Sequence, residues 1–115
     1  MHQFAYSEIL EESGSECRRH EREAFDKIIA LLHKARERGA ASIEAVEAVY
    51  RLRQLWRLLL DDLSSPQNSL PDVLKANLIS IGIWMLKEME KVREGQEEAL
   101  DAIIAINTII RDGLK

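Results

Sequence analysis

Apolar residues in this chain recur three and four positions apart over long stretches and nowhere alternate one-in-two, so the elements they predict are helices. Cys17, Ala24, Phe25, Ile28, Leu31, Leu32 and Ala35 fall on one stripe, with Arg19, Asp26, His33 and Glu37 opposite. Ser13 with Glu16 three residues later reads as a capping box at the start of this stretch, and Gly39 as its stop, which predicts a helix over 13–38. A second helix is predicted over 42–63, capped by Ser42 and striped by Ala45, Val49, Leu52, Trp56, Leu59 and Leu63. The run from Ser64 to Ser69 is a loop by composition. Pro71 suits the first position of a third helix, because its missing N–H has no partner there anyway. That helix spans 71–94 and stops at Gly95; a fourth spans 96–112 and ends at Gly113. Ahead of all four, residues 1–12 form a short arm or helix with apolar Phe4, Tyr6, Ile9 and Leu10. The pattern predicts an all-α fold, a small antiparallel bundle of about four helices forming one domain over 1–115.

Three of these helices carry more apolar surface than one inward stripe needs. In the third, the stripe is Leu74, Leu78, Ile81, Met85, Met89 and Val92, widened by Gly82, while Ile83 and Trp84 fall among Asn77, Ser80, Lys87 and Lys91. In the second, Tyr50 and Leu58 stand among Glu47, Arg51, Arg57 and Asp61; in the fourth, Leu100 and Ile104 widen one edge. A helix apolar on more than one face sits between neighbours or meets a partner. The bland reading of Trp84 is core, since a tilted helix can present two faces inward. The functional reading makes Trp84, Ile83, Leu58, Tyr50 and Ile104, with Leu100, an apolar patch or groove for a partner's amphipathic helix, or a homodimer face. Gly82 costs about 1 kcal/mol relative to Ala inside a helix, which points to a close approach of a neighbouring helix or to a kink, the close approach being preferred because kinks usually need Pro or a π-bulge.

Composition narrows the chemistry. With 115 residues, 46% of them apolar, the chain has enough core to fold without disulfides or a structural metal. Its net charge of −4 and pI near 5.4 argue against a generic nucleic-acid binder. The single cysteine, Cys17, forms no intramolecular disulfide and suits a reducing, cytoplasmic compartment. The N-terminal residues have neither the basic start nor the apolar run of a signal peptide, and no stretch is long and apolar enough for a membrane span. His2, His20 and His33 match no metal-ligand spacing, and no glycine-rich phosphate loop occurs. Asp61 and Asp62 stand unusually at a helix C-terminus, where the dipole disfavours them and a partner's cation would suit them. Arg18, Arg19 and Arg22 are interleaved with Glu16, Glu21 and Glu23, as on a solvated, ion-paired face. No catalytic residues and no cofactor are expected.

Read in order, the residues resemble a known family over essentially the whole chain. Tyr6 with Glu8-Ile9, Ser13-Gly14, Glu21 with Ala24, and Leu55-Trp56 leading to Asp61-Asp62-Leu63 come first. Pro66, Ser69-Leu70-Pro71, Leu74 and the run Leu78-Ile79-Ser80-Ile81-Gly82, with Trp84 close behind, complete the pattern. It is similar to FlaF, the flagellar biosynthesis regulators of certain bacteria. The resemblance implies a cytoplasmic, non-enzymatic regulator that promotes flagellin synthesis and filament assembly, with a companion repressor called FlbT acting in opposition. It implies flagellin as a protein partner, bound in a chaperone-like way. The alternative it leaves open is post-transcriptional control, by binding flagellin mRNA directly or by acting through a companion regulator.

Overall fold

The structure, a computed structural model, describes the backbone of residues 11–113 and the side chains from Arg19 to Gly113. It contains four helices: α1 (Glu11–Arg38), α2 (Ile43–Leu63), α3 (Asp72–Arg93) and α4 (Glu97–Gly113). The all-α architecture follows the predicted elements to within two residues at each boundary. The arm expected over 1–12 lies outside the described residues up to position 10, as does the side chain of Cys17. The start of α1 corrects the sequence reading. Helical backbone is already present at Glu11, so Ser13 stands inside the helix and does not cap it.

The helix ends follow local chemistry. Gly39 (φ 102°) and Gly95 (φ 89°) adopt the left-handed conformation that costs other residues a clash with their own Cβ, and they end α1 and α3. The Gly39 N–H donates to the Ala35 carbonyl at 2.7 Å. The Ser42 hydroxyl caps α2 by accepting from the Ala45 N–H at 3.1 Å, and donates to the Gly39 carbonyl at 2.7 Å. Pro71 stands at the N-cap of α3, one position earlier than predicted. Its carbonyl accepts from the Lys75 N–H at 3.0 Å.

Each helix packs on two neighbours: α1 and α3 both lie against α2 and α4. Cross-links at two heights fix the directions. Arg36 meets Asp101 at 2.6 Å and Arg111 meets Asp26 at 2.7 Å, so α1 and α4 run antiparallel. Arg53 meets Glu90 at 3.3 Å, and Leu60 packs on Gly82, so α2 and α3 do too. The Gly82 contact bears out the close approach expected there. A Cβ on Gly82 would stand 2.7 Å from Leu60 Cδ2 and 3.1 Å from its Cγ.

At mid-height one residue from each helix meets in a single core layer: Phe25, Trp56, Met85 and Asn107. The Phe25 and Trp56 rings pack edge-on, centroids 6.5 Å apart. Asn107 is fully buried, yet its amide is satisfied. Its Oδ1 accepts from Trp56 Nε1 at 3.0 Å, and its Nδ2 donates to the Ile103 carbonyl at 2.7 Å and faces Met85 Sδ at 3.4 Å. A polar group this deep is tolerable only because it is hydrogen-bonded.

Candidate partner-binding cleft

The residues singled out in the sequence do not gather on one surface. Trp84 and Ile104 are half-buried and pack against the core, and Leu100 is fully buried, which removes it from any surface patch. Tyr50, Leu58 and Ile83 are exposed, at 58%, 63% and 50%. Leu58 is two residues, hence about 200°, from Leu60, so it points away from α3. Ile83 follows Gly82 on α3 and is therefore turned about 100° from the side that meets α2. Tyr50 is ten residues from Leu60 along α2, about 15 Å toward the other end of the bundle. The one continuous patch that periodicity suggested is thus spread over several faces.

The structure opens elsewhere, at the end of the bundle where α2 and α4 finish and α3 begins. There a cleft of ≈420 Å3 is lined by Leu59 and Leu63 from α2, Leu70 from the loop, and Leu74 and Leu78 from α3. Ile109, Ile110 and Gly113 from α4 form the opposite wall, and Phe25 and Trp56 the floor. Leu74 and Ile109 stand at its rim, 43% and 66% exposed. The physical cause is unequal helix length. Because Arg111 meets Asp26, Gly113 lies level with about residue 24 of α1, and α1 continues to Glu11, about 20 Å further. Apolar residues of α2 and α3 that a longer α4 would cover therefore face outward.

The loop side of the cleft is rigidly built. Asn68, 3% exposed, donates from Nδ2 to Asp62 Oδ2 at 3.2 Å and accepts from the Leu70 N–H at 3.0 Å. The Lys75 ammonium donates to the Asn68 carbonyl. Leu70 is thereby held over the cleft. These bonds also correct the expectation for the Asp61-Asp62 pair: Asp62 is 5% exposed and turns inward to its own loop, leaving only Asp61 on the surface.

The cleft residues were legible as core positions of their helices, not as a site. The missed signal was length. The predicted first helix is longer than the fourth, and adjacency of the two leaves apolar stripe uncovered at one end. A second concavity, ≈560 Å3, lies at the opposite end between α2 and α3, lined by Val46, Val49, Tyr50 and Val92 with Arg53 and Arg93 at its edge. Those two arginines are engaged with Glu90 at 3.3 and 3.1 Å, and their hydrogen bonds hold the Glu90 carboxyl below the usual carboxylate range.

Every side chain lining the cleft is apolar, so it offers no charge or hydrogen bond to orient a polar metabolite. It suits side chains from one face of an amphipathic helix. Among the described residues no cluster of three potential metal ligands occurs, and no helix is long and apolar enough to cross a membrane. His20 and His33 are exposed, and on α2 Arg51 pairs with Glu47 at 3.9 Å.

A family model described as flagellar protein FlaF matches residues 2–114. No curated protein and no solved structure matches the chain. Matched over nearly its whole length and folded as an all-helical bundle, the chain belongs to the flagellar protein FlaF family.

Proposed function

We propose that this flagellar protein binds flagellin in a chaperone-like way and thereby promotes flagellin synthesis and filament assembly, without catalysis. The observation that carries the reading is the wholly apolar cleft with Leu74 and Ile109 exposed at its rim. Exposing large apolar side chains is costly unless something covers them for part of the time. A flagellin segment that is amphipathic, and unpaired before the filament forms, has the face such a cleft accepts. Cover of this kind protects the segment and couples flagellin supply to assembly. Family membership supports the flagellar setting, and the resemblance supplies flagellin as the partner.

Calorimetry of the full chain with its organism's flagellin tests the reading. Saturable binding is expected, and Leu74→Asp with Ile109→Asp should weaken it about tenfold or more, on the order of 1.4 kcal/mol. Both positions are exposed, so the variant should remain folded. Leu58→Asp, on a different face, should bind as the wild type does. If the double variant binds flagellin unchanged, the cleft is not the site. If the chain binds a flagellin leader RNA and not flagellin, the chaperone reading fails and direct mRNA control replaces it. Binding to neither would leave action through a companion regulator.

A further inference from the structure

The start of α2 lies beyond the reach of α3. Arg53 meets Glu90 across these two antiparallel helices, so Arg93, the last residue of α3, lies level with about Tyr50. The first two turns of α2, from Ile43 to Val49, therefore run about 10 Å past the end of α3. Beyond that end Gly95 turns the chain away toward α4. The concavity of ≈560 Å3 is the space this overhang leaves, with Ala45, Val46 and Val49 on one side and Val92 on the other. Val46 and Tyr50 stand out from it, 68% and 58% exposed. Large apolar side chains grouped in the open mark a surface that meets something.

Unlike the cleft at the other end, this surface carries charge, and of one sign. Among the described residues, the only charged side chains lining it are Arg53 and Arg93. They share a single carboxylate, Glu90, at 3.3 and 3.1 Å, so two guanidiniums answer to one anion. The acids nearest on α2 are engaged elsewhere, Glu44 with Arg38 and Glu47 with Arg51. We propose that the overhang is a second docking surface, for an amphipathic helix of another protein that carries carboxylates beside its apolar face. Its apolar side chains fill the space between Val46, Val49 and Val92, and its carboxylates meet the surplus charge of Arg53 and Arg93, whose planar forks suit them. A second copy of the chain fits poorly, because a two-fold contact here sets this arginine pair against its own image. The surface is separate from the cleft: Val46 and Leu63, one at each, are seventeen residues apart on α2, about 26 Å. Both can therefore be occupied at once, and the second needs nothing of the flagellin reading.

Methyl nuclear magnetic resonance of the full chain tests the site with two stapled helical peptides that share one leucine face and differ in flanking residues, glutamate in one and lysine in the other. The acidic peptide should shift the Val46, Val49 and Val92 methyls saturably and bind there about tenfold tighter than the basic one at low salt, a preference that added salt erodes. Arg53→Gln with Arg93→Gln should bring the two peptides to within about twofold of each other, whereas Glu90→Gln, which frees both guanidiniums, should tighten the acidic peptide about twofold. All three positions are at least one-third exposed, so these variants should remain folded. If the basic peptide binds there as tightly, or neither peptide shifts these methyls, the proposal is overturned. Shifts that change on dilution of the chain alone would assign the surface to a second copy, and a single-stranded RNA that shifts Val46 and Val49 where the acidic peptide does not would assign the arginines to phosphate; either overturns it. Leu74→Asp with Ile109→Asp, which alters the cleft, should leave the acidic peptide's shifts unchanged; their loss would place the peptide in the cleft and remove the second surface.

Discussion

Replacing Asn107 by Leu should destabilise the bundle even though it makes the core more apolar. The two side chains branch alike, so no cavity forms, although the Leu methyls must move away from atoms that the Asn amide meets at 2.7 and 3.0 Å. What is lost is the acceptor for Trp56 Nε1–H, 3.0 Å away, in a layer where Trp56 is 1% and Asn107 0% exposed. A buried donor without a partner costs about 1–3 kcal/mol. The Ile103 carbonyl keeps its place in the α4 backbone ladder, and the Met85 sulfur is a weak acceptor, so neither adds much. Extra apolar burial by Leu offsets about 1 kcal/mol of the loss. The expected net destabilisation is therefore about 1–2 kcal/mol. Trp56→Phe alone orphans Asn107 instead, and the double variant orphans neither group. The cycle should thus show favourable coupling of about 1 kcal/mol between the two changes, with the double variant less destabilised than the singles together. Urea unfolding followed by far-ultraviolet circular dichroism measures all four proteins without relying on Trp56 fluorescence. Strict additivity, or an Asn107→Leu variant as stable as wild type, would show that the hydrogen bond contributes nothing and that the layer is held by packing alone.

Gly82→Ala gains about 1 kcal/mol of helix propensity but places a methyl against Leu60, where overpacking costs about 1–3 kcal/mol. A net loss in thermal stability is expected, turning into a gain when Leu60→Ala is present; a raised Tm for the single variant refutes the close-contact reading. Asn68→Ala should speed hydrogen exchange of the Leu70 amide selectively, because that N–H donates to Asn68 Oδ1; unchanged exchange there would remove Asn68 as the loop's anchor. Glu90 is held below the ordinary carboxylate range by hydrogen bonds from Arg53 and Arg93. Its folded pKa is depressed, so its contribution is present above the unfolded carboxylate value and lost as pH falls through the folded one. The stability difference between wild type and Glu90→Gln should shrink on acidification; a difference constant with pH would refute the pairing.

The fold was legible because its signals are local and repeated. Helical spacing, Gly39 and Gly95 at the stops, Ser42 at a cap and Gly82 at a close approach each act within a turn or two, and all point to the same bundle. The Ser13 capping box misled because such a motif permits a helix start without forbidding the helix from beginning earlier. Asn107 was invisible: in sequence it is a polar residue near an apolar stripe, and only the packing of α2 and α4 diagonally across the core reveals Trp56 as its partner. The apolar cleft escaped notice for a related reason. Periodicity says which residues share a face of one helix, so Tyr50, Leu58, Ile83 and Trp84 stood out as surplus. It does not say how far each neighbour extends. Leu63, Leu74 and Ile109 look like ordinary stripe residues until the helices are aligned by Arg111–Asp26 and Asn107–Met85.

That alignment also explains why an open apolar cleft can persist in a small bundle. An uncovered stripe normally invites the helix ends to lean together and close it. Here the two sides of the cleft are held apart by polar contacts outside it. Asn68, bonded to Asp62 and Leu70 and accepting at its carbonyl from Lys75, ties the end of α2 to the start of α3 and keeps Leu70 and Leu74 on one wall. Arg111, itself paired with Asp26 and Asp112, ties the last turn of α4 to α1 and keeps Ile109 on the other. Hydrogen bonding to these carboxylates raises the Arg111 pKa further above its ordinary value, so its charge persists across all working pH. Between the walls, Phe25 and Trp56 form the floor, and Trp56 is anchored from behind by its hydrogen bond to Asn107. A segment docking there as proposed would meet walls already in place, and less of its interaction energy would be spent on ordering the site. The cleft is therefore a consequence of helix lengths, while its staying open is a consequence of the polar ties.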